Sequence, residues 1–219
     1  MKGIVVEIWG DYALFTRPEM KVERVSYDVI TPSAARGILD AVYWHPGMRW
    51  VIDSIHVINP IEFTNIRRNE VKSKISARNV KSAMDRNDGS LYISTSADIQ
   101  QRASTLLKNV HYIIEAHFEM TEEAGERDNE EKFYAIALRR FRKGQYYHQP
   151  CMGCREFPAH FRLLEGEEMV ESHYHGQELD LGYMLYDMDF SSQDDVAPKF
   201  FRARLKDGVI NLQDCEVVR

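Results

Sequence analysis

The chain has 219 residues, of which 44% are hydrophobic, 28% charged and 11% aromatic, and its formal net charge is −6. This length and composition allow a real core, which excludes a disordered tail and a disulfide-bonded miniprotein. No apolar run approaches the roughly 18 residues of a membrane span, and residues 1–11 lack the apolar stretch of a signal peptide. Three cysteines suit a reducing compartment. We therefore expect a cytoplasmic protein that does not contact a membrane.

The first quarter of the chain predicts a strand, a helix and further strands. Residues 2–9 are rich in β-branched side chains and end at a glycine-containing turn. Thr31 followed by Pro32 is typical of a helix N-cap and first helical position, and we expect this helix to end near Tyr43. Residues 49–63 then predict one long strand or two short ones.

The middle of the chain predicts a second helix between two strands. Residues 110–120 alternate between two faces, as in a half-exposed antiparallel strand. Asp128 and Asn129 can cap a helix over residues 130–143, with acidic residues in its first turn and basic residues in its last. Its core stripe is predicted to be Phe133, Ile136, Ala137 and the aliphatic part of Arg140. A further strand is predicted over residues 156–164.

The order β-α-β-β-α-β predicts an α+β, ferredoxin-like or RRM-like domain, with an antiparallel sheet and two helices on one face. We assign this domain to residues 1–166, with a basic loop or loop-helix insertion at about 65–100. Residues 167–219 are expected to form a small C-terminal β-hairpin region, with strands over 182–190 and 199–212 and a turn at Asp207 and Gly208. Many unrelated proteins share this architecture, so the fold alone does not define a function.

Positive charge is concentrated in two segments of this acidic chain. Residues 65–89 hold seven basic and three acidic side chains, and a second basic run follows a stretch with seven carboxylates at 119–131. Each run alone is often a solvated face. Two separate patches favour an anionic partner, and the candidates for contacts with RNA phosphates are Arg67, Arg68, Lys72, Lys74, Arg139, Arg140 and Arg142. Trp44 is a candidate for stacking on an unpaired base.

Five ordered stretches carry the most specific pattern. They are Trp9-Gly-Asp-Tyr-Ala-Leu-Phe15, Ala41-Val-Tyr-Trp-His-Pro46, Arg67-Arg-Asn-Glu-Val-Lys-Ser-Lys74, Leu107-Lys-Asn-Val-His-Tyr112 and Gly153-Cys-Arg-Glu-Phe-Pro158. Together they resemble the crRNA-processing member of type I-C CRISPR-Cas systems, the Cas-five family, subtype d, of the RAMP superfamily. The resemblance covers nearly the whole chain, from residue 2 to about residue 212.

The resemblance implies an endoribonuclease that uses neither metal nor cofactor. It would recognise the hairpin of a CRISPR repeat transcript, the pre-crRNA, and cut beside it. It would then hold the 5′ end of the crRNA as a subunit of the DNA-targeting Cascade complex with other type I-C subunits; binding of duplex DNA is left open. The family's catalytic tyrosine and lysine match Tyr43 and Lys132, whereas Phe133 occupies the position of a histidine that the family often has.

The chemistry of RNA cleavage can be argued from the residues themselves. A 2′-OH can attack the adjacent phosphorus and expel the 5′ oxygen, which requires alignment, proton transfer and a cation near the phosphorane. Lys132 can supply the cation. Tyr43, with an ordinary pKa of about 10, is better suited to orienting the 2′-OH than to acting as a base. His45 and His111 are the candidates for protonating the leaving oxygen.

Two other functions stay open on the sequence. Because Phe133 replaces the expected histidine, the chain could instead be a non-catalytic scaffold that binds crRNA. Alternatively, His148, Cys151, Cys154 and His160 contain the donor atoms of a zinc site. A second Cys-x-x-Cys pair is missing, so a tight glycine turn with two free thiols is the favoured interpretation, and no metal is expected.

Overall fold

The structure is a computed structural model that describes residues 3–20, 22–166, 170–190 and 195–219. The helices and strands of these residues are β1 (Gly3–Ala13), β2 (Arg24–Val25), α1 (Pro32–Val42), β3 (Met48–Val57), β4 (Phe63–Val71), α2 (Ala77–Asp85), β5 (Ile99–Met120), α3 (Glu130–Arg142), β6 (His160–Leu164), β7 (Glu178–Asp189), β8 (Ala197–Lys206), β9 (Val209–Asn211) and β10 (Val217–Val218). Within these ranges no helix combines the length and the apolar character that a bilayer crossing needs.

The centre of the molecule is a four-stranded antiparallel sheet in the order β6-β1-β5-β3. Helix α1 connects β1 to β3, and α3 connects β5 to β6. Numbered among themselves, the four strands lie in the order 4-1-3-2, which is the ferredoxin-like arrangement. The predicted fold class is therefore confirmed.

Both helices of this core begin where their capping residues predict. The Ala34 N–H donates to Thr31 Oγ1 at 3.2 Å, and the Lys132 N–H donates to Asn129 Oδ1 at 2.8 Å. Each contact satisfies a backbone donor that the first helical turn leaves free. Helix α1 ends at its predicted C-cap, Tyr43. In α3 the buried residues are Phe133, Ala137 and Phe141. Ile136 is half-buried and packs against the same core, as predicted, whereas Phe141 was not predicted.

Aromatic side chains join the helices to the sheet. The Trp50 ring lies edge-on to Phe118 at 5.7 Å and to Phe141 at 6.2 Å between centroids. Its indole N–H donates to the Tyr43 carbonyl oxygen at 2.8 Å. Burying an aromatic side chain of this size contributes about 1.5–3 kcal/mol, so these contacts hold the end of α1 firmly against the sheet.

The basic segment is an ordered arm rather than a loop. Strand β4 pairs with the first half of β5 from Phe63–Leu107 to Val71–Ile99, and α2 crosses the far end. We call residues 63–107 the arm. The predicted insertion at 65–100 contains the helix but missed both strands. The reason is that polar residues such as Arg67 and Asn69 occupy a two-stranded ribbon outside the core, so the apolar alternation of a half-buried strand is absent.

Several predicted strand ends were wrong. Strand β1 continues through the expected turn to Ala13, because it stays paired with β5. Strand β3 ends at Val57, short of the predicted residue 63. Strand β6 begins at His160 instead of residue 156, since residues 151–158 form a closed turn with a Cys151–Pro158 bridge. The start of the first predicted strand at residue 2 lies outside the described residues.

The C-terminal strands extend the central sheet. Strands β7 and β8 are antiparallel, and the predicted turn at Asp207 and Gly208, with positive φ angles of 51° and 79°, leads into β9. Strand β9 pairs with β3, with Ile210 opposite Ile55. The described C-terminal residues, 170–190 and 195–219, therefore continue the sheet of the first domain, while the proposed boundary at residue 167 lies outside the described residues.

Candidate functional site

The candidate catalytic site lies where the C-terminus of α1 meets the first turn of α3. Tyr43 caps α1 and is 6% exposed. Its ring lies 5.4 Å from the Arg140 guanidinium, and Arg140 also donates to the Val42 carbonyl oxygen at 2.9 Å. This pair of contacts ties α3 to the end of α1 and fixes the tyrosine ring.

The Phe133 ring is the centre around which the candidate catalytic groups gather. Its centroid lies 4.8 Å from the His45 ring, 6.4 Å from the Tyr43 ring and 5.9 Å from Lys132 Nζ. The structure thus brings Tyr43, His45 and Lys132 to one place. Phe133 itself is fully buried and packs against Phe118, so it is part of the hydrophobic core.

The environment of Tyr43 keeps its phenol neutral. Burial raises the pKa of this phenol above its ordinary value of 10.0, and the positive charges of Arg140 and Arg139 oppose the shift only in part. At neutral pH the hydroxyl is therefore protonated and able to donate a hydrogen bond. This geometry supports an orienting role for Tyr43 rather than that of a general base.

Asp128 belongs to this site as well, although the sequence indicated only a helix cap. Its carboxylate accepts from Lys132 Nζ at 2.7 Å and from the Gly125 N–H at 2.9 Å. These bonds, chiefly the one from Lys132, hold the pKa of Asp128 below its ordinary value. Asp128 positions the lysine ammonium next to Phe133. The i, i+4 spacing of an acid and a lysine was the signal that could have identified the pair.

His45 has a defined tautomer in this arrangement. The Gly47 N–H donates to His45 Nδ1 at 3.0 Å, so Nδ1 acts as the acceptor. A neutral imidazole whose Nδ1 accepts carries its proton on Nε2. His45 therefore carries an N–H donor on a ring that lies next to Phe133.

The structure separates His111 from this cluster. In β5 it lies seven residues from Phe118, which places it on the opposite face of the strand and about 23 Å along it. There His111 Nε2 pairs with the Glu7 carboxylate at 2.8 Å, and Arg162 binds the same carboxylate. Trp9, which is 38% exposed, stacks on His160 on this face with ring centroids 5.8 Å apart. His111 thus belongs to a separate polar cluster on the open face of the sheet.

The candidate RNA-binding residues fall into two groups. Four basic side chains, together with the 60% exposed Trp44, are open to solvent; the basic ones are Arg67, Lys72, Lys74 and Arg139. The other three already have protein partners. Arg68 pairs with Glu70 at 3.0 Å, and Arg142 binds Glu165 with contacts of 2.7 and 3.1 Å. Arg140 holds Val42 and Tyr43, as described above.

The cysteines of the predicted turn are free thiols. Gly153 adopts a φ of +83° there, and a Cβ at this position would lie 2.2 Å from the Leu14 carbonyl oxygen, so only glycine fits without a backbone shift. Among the described residues, which include all four candidate zinc ligands, no three His, Cys, Asp or Glu side chains are grouped to hold a metal ion.

The described residues thus define a ferredoxin-like protein whose core is extended by an arm with exposed basic side chains. The family model for the CRISPR-associated Cas5d proteins matches residues 3–213, almost the whole chain. The chain therefore belongs to the Cas5d family.

Its relatives are similar over their full lengths. The chain is 53% identical over 216 residues to the CRISPR pre-crRNA endoribonuclease Cas5d of Mannheimia succiniciproducens, covering 95% of this chain and 94% of the relative. It is 37% identical to the protein of the same name from Thermus thermophilus, covering 95% and 90%. Two solved crystal structures are each 25% identical to this chain, and each match covers 100% of this chain and 97% of the solved chain. One is a CRISPR-associated protein, with a TM-score of 0.71. The other is a functionally uncharacterized protein from Streptococcus mutans, with a TM-score of 0.70.

Proposed function

We propose that this chain is a pre-crRNA endoribonuclease that cuts CRISPR repeat transcripts beside their hairpin without a metal ion. Membership in the Cas5d family and two full-length relatives named as pre-crRNA endoribonucleases support the activity. The gathering of Tyr43, His45 and Lys132 around Phe133 is the structural observation that carries the proposed mechanism.

The proposed reaction uses a nucleophile that belongs to the RNA. The 2′ oxygen loses its proton and bonds to the adjacent phosphorus, while the bond from phosphorus to the 5′ oxygen breaks. The products are a 2′,3′-cyclic phosphate and a free 5′-OH. The protein contributes alignment and charge stabilisation, since extra negative charge develops on the phosphorane oxygens.

Lys132 stabilises the phosphorane in this proposal. Its ammonium group is 45% exposed, so the scissile phosphate can approach it, and Asp128 holds it in a defined position at 2.7 Å. Tyr43 donates a hydrogen bond from its neutral phenol and orients the ribose. Its hydroxyl keeps its proton at neutral pH, because burial raises its pKa, and a protonated hydroxyl can donate.

The resemblance implies a histidine at position 133, where this chain has Phe133. In this proposal His45, which lies next to Phe133, takes the role of that histidine. In the tautomer set by Gly47, its Nε2–H hydrogen-bonds the leaving 5′ oxygen and stabilises the charge that develops there, as a neutral imidazole can. Water accepts the proton of the 2′-OH, and the 5′ oxygen gains a proton from water. His111, on the other face of the sheet, takes no part.

In this proposal the arm binds the RNA. Arg67, Lys72 and Lys74 are exposed along it and can contact phosphates of the repeat hairpin, which is recognised mainly through shape and backbone. After cleavage the chain keeps the crRNA and joins other type I-C Cascade subunits in this proposal, as the resemblance of its sequence implies.

Incubating the purified chain with its repeat RNA in EDTA tests the activity. We expect a single cut with a 2′,3′-cyclic phosphate end, lost in Tyr43→Phe and in Lys132→Ala. Cleavage that requires an added divalent ion would contradict the mechanism. The complete burial of Phe133 favours one alternative, a non-catalytic crRNA scaffold, and an RNA that is tightly bound but uncut by the wild-type protein would establish that alternative.

A further inference from the structure

Three arginines surround one glutamate in the half of the arm that is farther from the core, where Glu70 lies opposite Gln100 in the β4–β5 pair. Glu70 lies 3.0 Å from Arg68, 3.4 Å from Arg24 and 3.5 Å from Arg102, measured between nitrogen and carboxylate oxygen. A second carboxylate, Glu156 of the 151–158 turn, lies 3.4 Å from Arg68 and is 58% exposed. Three guanidinium groups therefore face two carboxylates, and the cluster keeps one positive charge.

The hydrogen bonding of this cluster is incomplete. Arg68 Nη1 and Arg102 Nε are buried without a hydrogen-bond partner, although Arg102 Nε lies within ion-pair distance of Glu70. Arg68 and Arg102 are also directly opposite each other in the β4–β5 pair. Like charges in this position are destabilising, and a buried unpaired donor costs about 1–3 kcal/mol. A purely structural cluster would not need three arginines here.

A pocket of about 630 Å³ opens onto the cluster. Arg24 and Arg68 line it together with both carboxylates, whereas Arg102 is not part of the lining although it contacts Glu70. Phe157 and Ile66 contribute apolar wall. A site that combines guanidinium donors with an aromatic and an aliphatic surface fits a nucleotide better than a bare anion.

We propose that this pocket binds one nucleotide of a single RNA strand, with its phosphodiester on Arg24 and Arg68 and its sugar and base against Phe157. The single negative charge of a phosphodiester would neutralise the remaining charge of the cluster. The inference deepens the proposed function and rests on it, because it assumes that RNA is the ligand of this chain.

Glu70 and Arg102 are positioning residues in this site. Without RNA, Arg24 and Arg68 are ion-paired with Glu70. Arg102 is ion-paired with the same carboxylate, and this competing contact weakens the attraction of Glu70 for Arg24 and Arg68. RNA binding then exchanges Glu70 for a phosphate.

Titration of a single-stranded oligouridylate of about twelve nucleotides tests the pocket, because this probe needs no repeat sequence. Arg24→Gln and Arg68→Gln should each weaken binding about tenfold, as expected for the loss of a charge-assisted hydrogen bond. The slope of log affinity against log salt should fall by about 0.7 for each lost phosphate contact. Arg202→Gln is the matched control, since Arg202 of β8 is ion-paired with Asp180 of β7, and this variant should bind like the wild type.

Substitutions of the two positioning residues should change the affinity for oligouridylate in opposite directions. Glu70→Gln removes the competing carboxylate and should tighten oligouridylate binding several-fold. Arg102→Gln leaves Glu70 free to hold Arg24 and Arg68 and should weaken it. Asp180→Asn makes the same charge change as Glu70→Gln within an exposed ion pair and controls for net charge. A structural role for Glu70 predicts weaker binding in Glu70→Gln, the reverse of our expectation.

Wild-type affinity and salt slope in Arg24→Gln and Arg68→Gln, with the fold intact by circular dichroism, would overturn the inference. So would equal tightening in Glu70→Gln and Asp180→Asn. Arg68→Lys guards against misfolding, because it retains the charge but loses the fork of donors, and it should fall between wild type and Arg68→Gln. If the wild-type chain does not cleave repeat RNA, that result would count against the proposed function alone, since the oligouridylate titration does not depend on cleavage.

Discussion

The α1–α3 junction and the arm are built in opposite ways. Helix α3 buries three of its side chains and fixes its first turn against α1, while α2 at the tip of the arm buries none. At the junction the charges nearest Tyr43 and Phe133 have defined partners, which are Asp128 for Lys132 and the Val42 carbonyl oxygen for Arg140. The arm carries exposed basic residues on a two-stranded ribbon outside the core.

This difference corresponds to two tasks. Displacing phosphate oxygens requires groups held to within a fraction of an ångström, and only a packed core provides such rigidity. Holding a flexible polyanion requires charge more than position, because phosphate contacts act over a Debye length and tolerate movement. Variants in the two regions should therefore fail in different ways.

The largest effect is expected at the junction. Lys132→Ala removes the proposed phosphorane contact and should slow cleavage about a hundredfold to a thousandfold, with RNA affinity nearly retained. Single-turnover rates at saturating repeat RNA measure this. Lys199→Ala is the matched control, since Lys199 is also ion-paired and similarly exposed. Equal slowing in both variants would show that Lys132 has no special role.

His45→Gln tests which histidine acts at the junction. Losing the Nε2–H donor in its fixed orientation should slow single-turnover cleavage about a hundredfold. His175→Gln, an exposed histidine outside the site, serves as the control and should cleave at the wild-type rate. If His111→Gln slows cleavage as strongly and with unchanged stability, the assignment of His45 is wrong.

Substitutions of basic residues in the arm should lower the affinity for RNA. Arg67→Gln combined with Lys74→Gln should weaken binding about tenfold for repeat and unrelated RNA alike, and flatten the salt dependence of affinity. Filter binding over a range of salt concentrations measures both. A loss confined to repeat RNA would show that these side chains read sequence rather than phosphates.

The smallest effect concerns stability. The pKa of Asp128 is lower in the folded chain than its ordinary value of 3.8, so ionised Asp128 stabilises the fold above that value, and this contribution is lost as pH falls through the folded pKa. Asp128→Asn should therefore be less stable than the wild type at pH 7. The difference in urea midpoint should shrink below about pH 4. Asp214→Asn, which removes one negative charge at an exposed position, is the control, and an equal loss of stability at pH 7 in both variants would show that the contact with Lys132 contributes nothing.

The elements with strong local signals were predicted from the sequence. Thr31 and Asn129 marked both helix starts because their side chains cap the backbone, and residues 110–120 alternate because one strand face is buried. The strands of the arm carried no such signal. Their polar side chains are stabilised by pairing between distant segments, which a local pattern does not contain.

For the candidate site, the resemblance to the family supplied Tyr43 and Lys132, and the sequence spacing placed His45 nearby. Sequence reasoning could not choose between His45 and His111, because that choice depends on which face of β5 meets α3. It also missed Asp128 as the partner of Lys132, and the contacts of Arg24 and Arg102 with Glu70, which join three strands.

Strand β5 pairs along its 22 residues with β1, β2, β3 and β4. Deleting one residue in its middle would shift half of the strand by one position relative to all of these neighbours, and every side chain beyond the deletion would exchange faces. Phe118 would turn toward solvent and His117 toward α3. Length changes in this family should therefore collect in the connecting turns, and an alignment of its members should show β5 free of single-residue gaps.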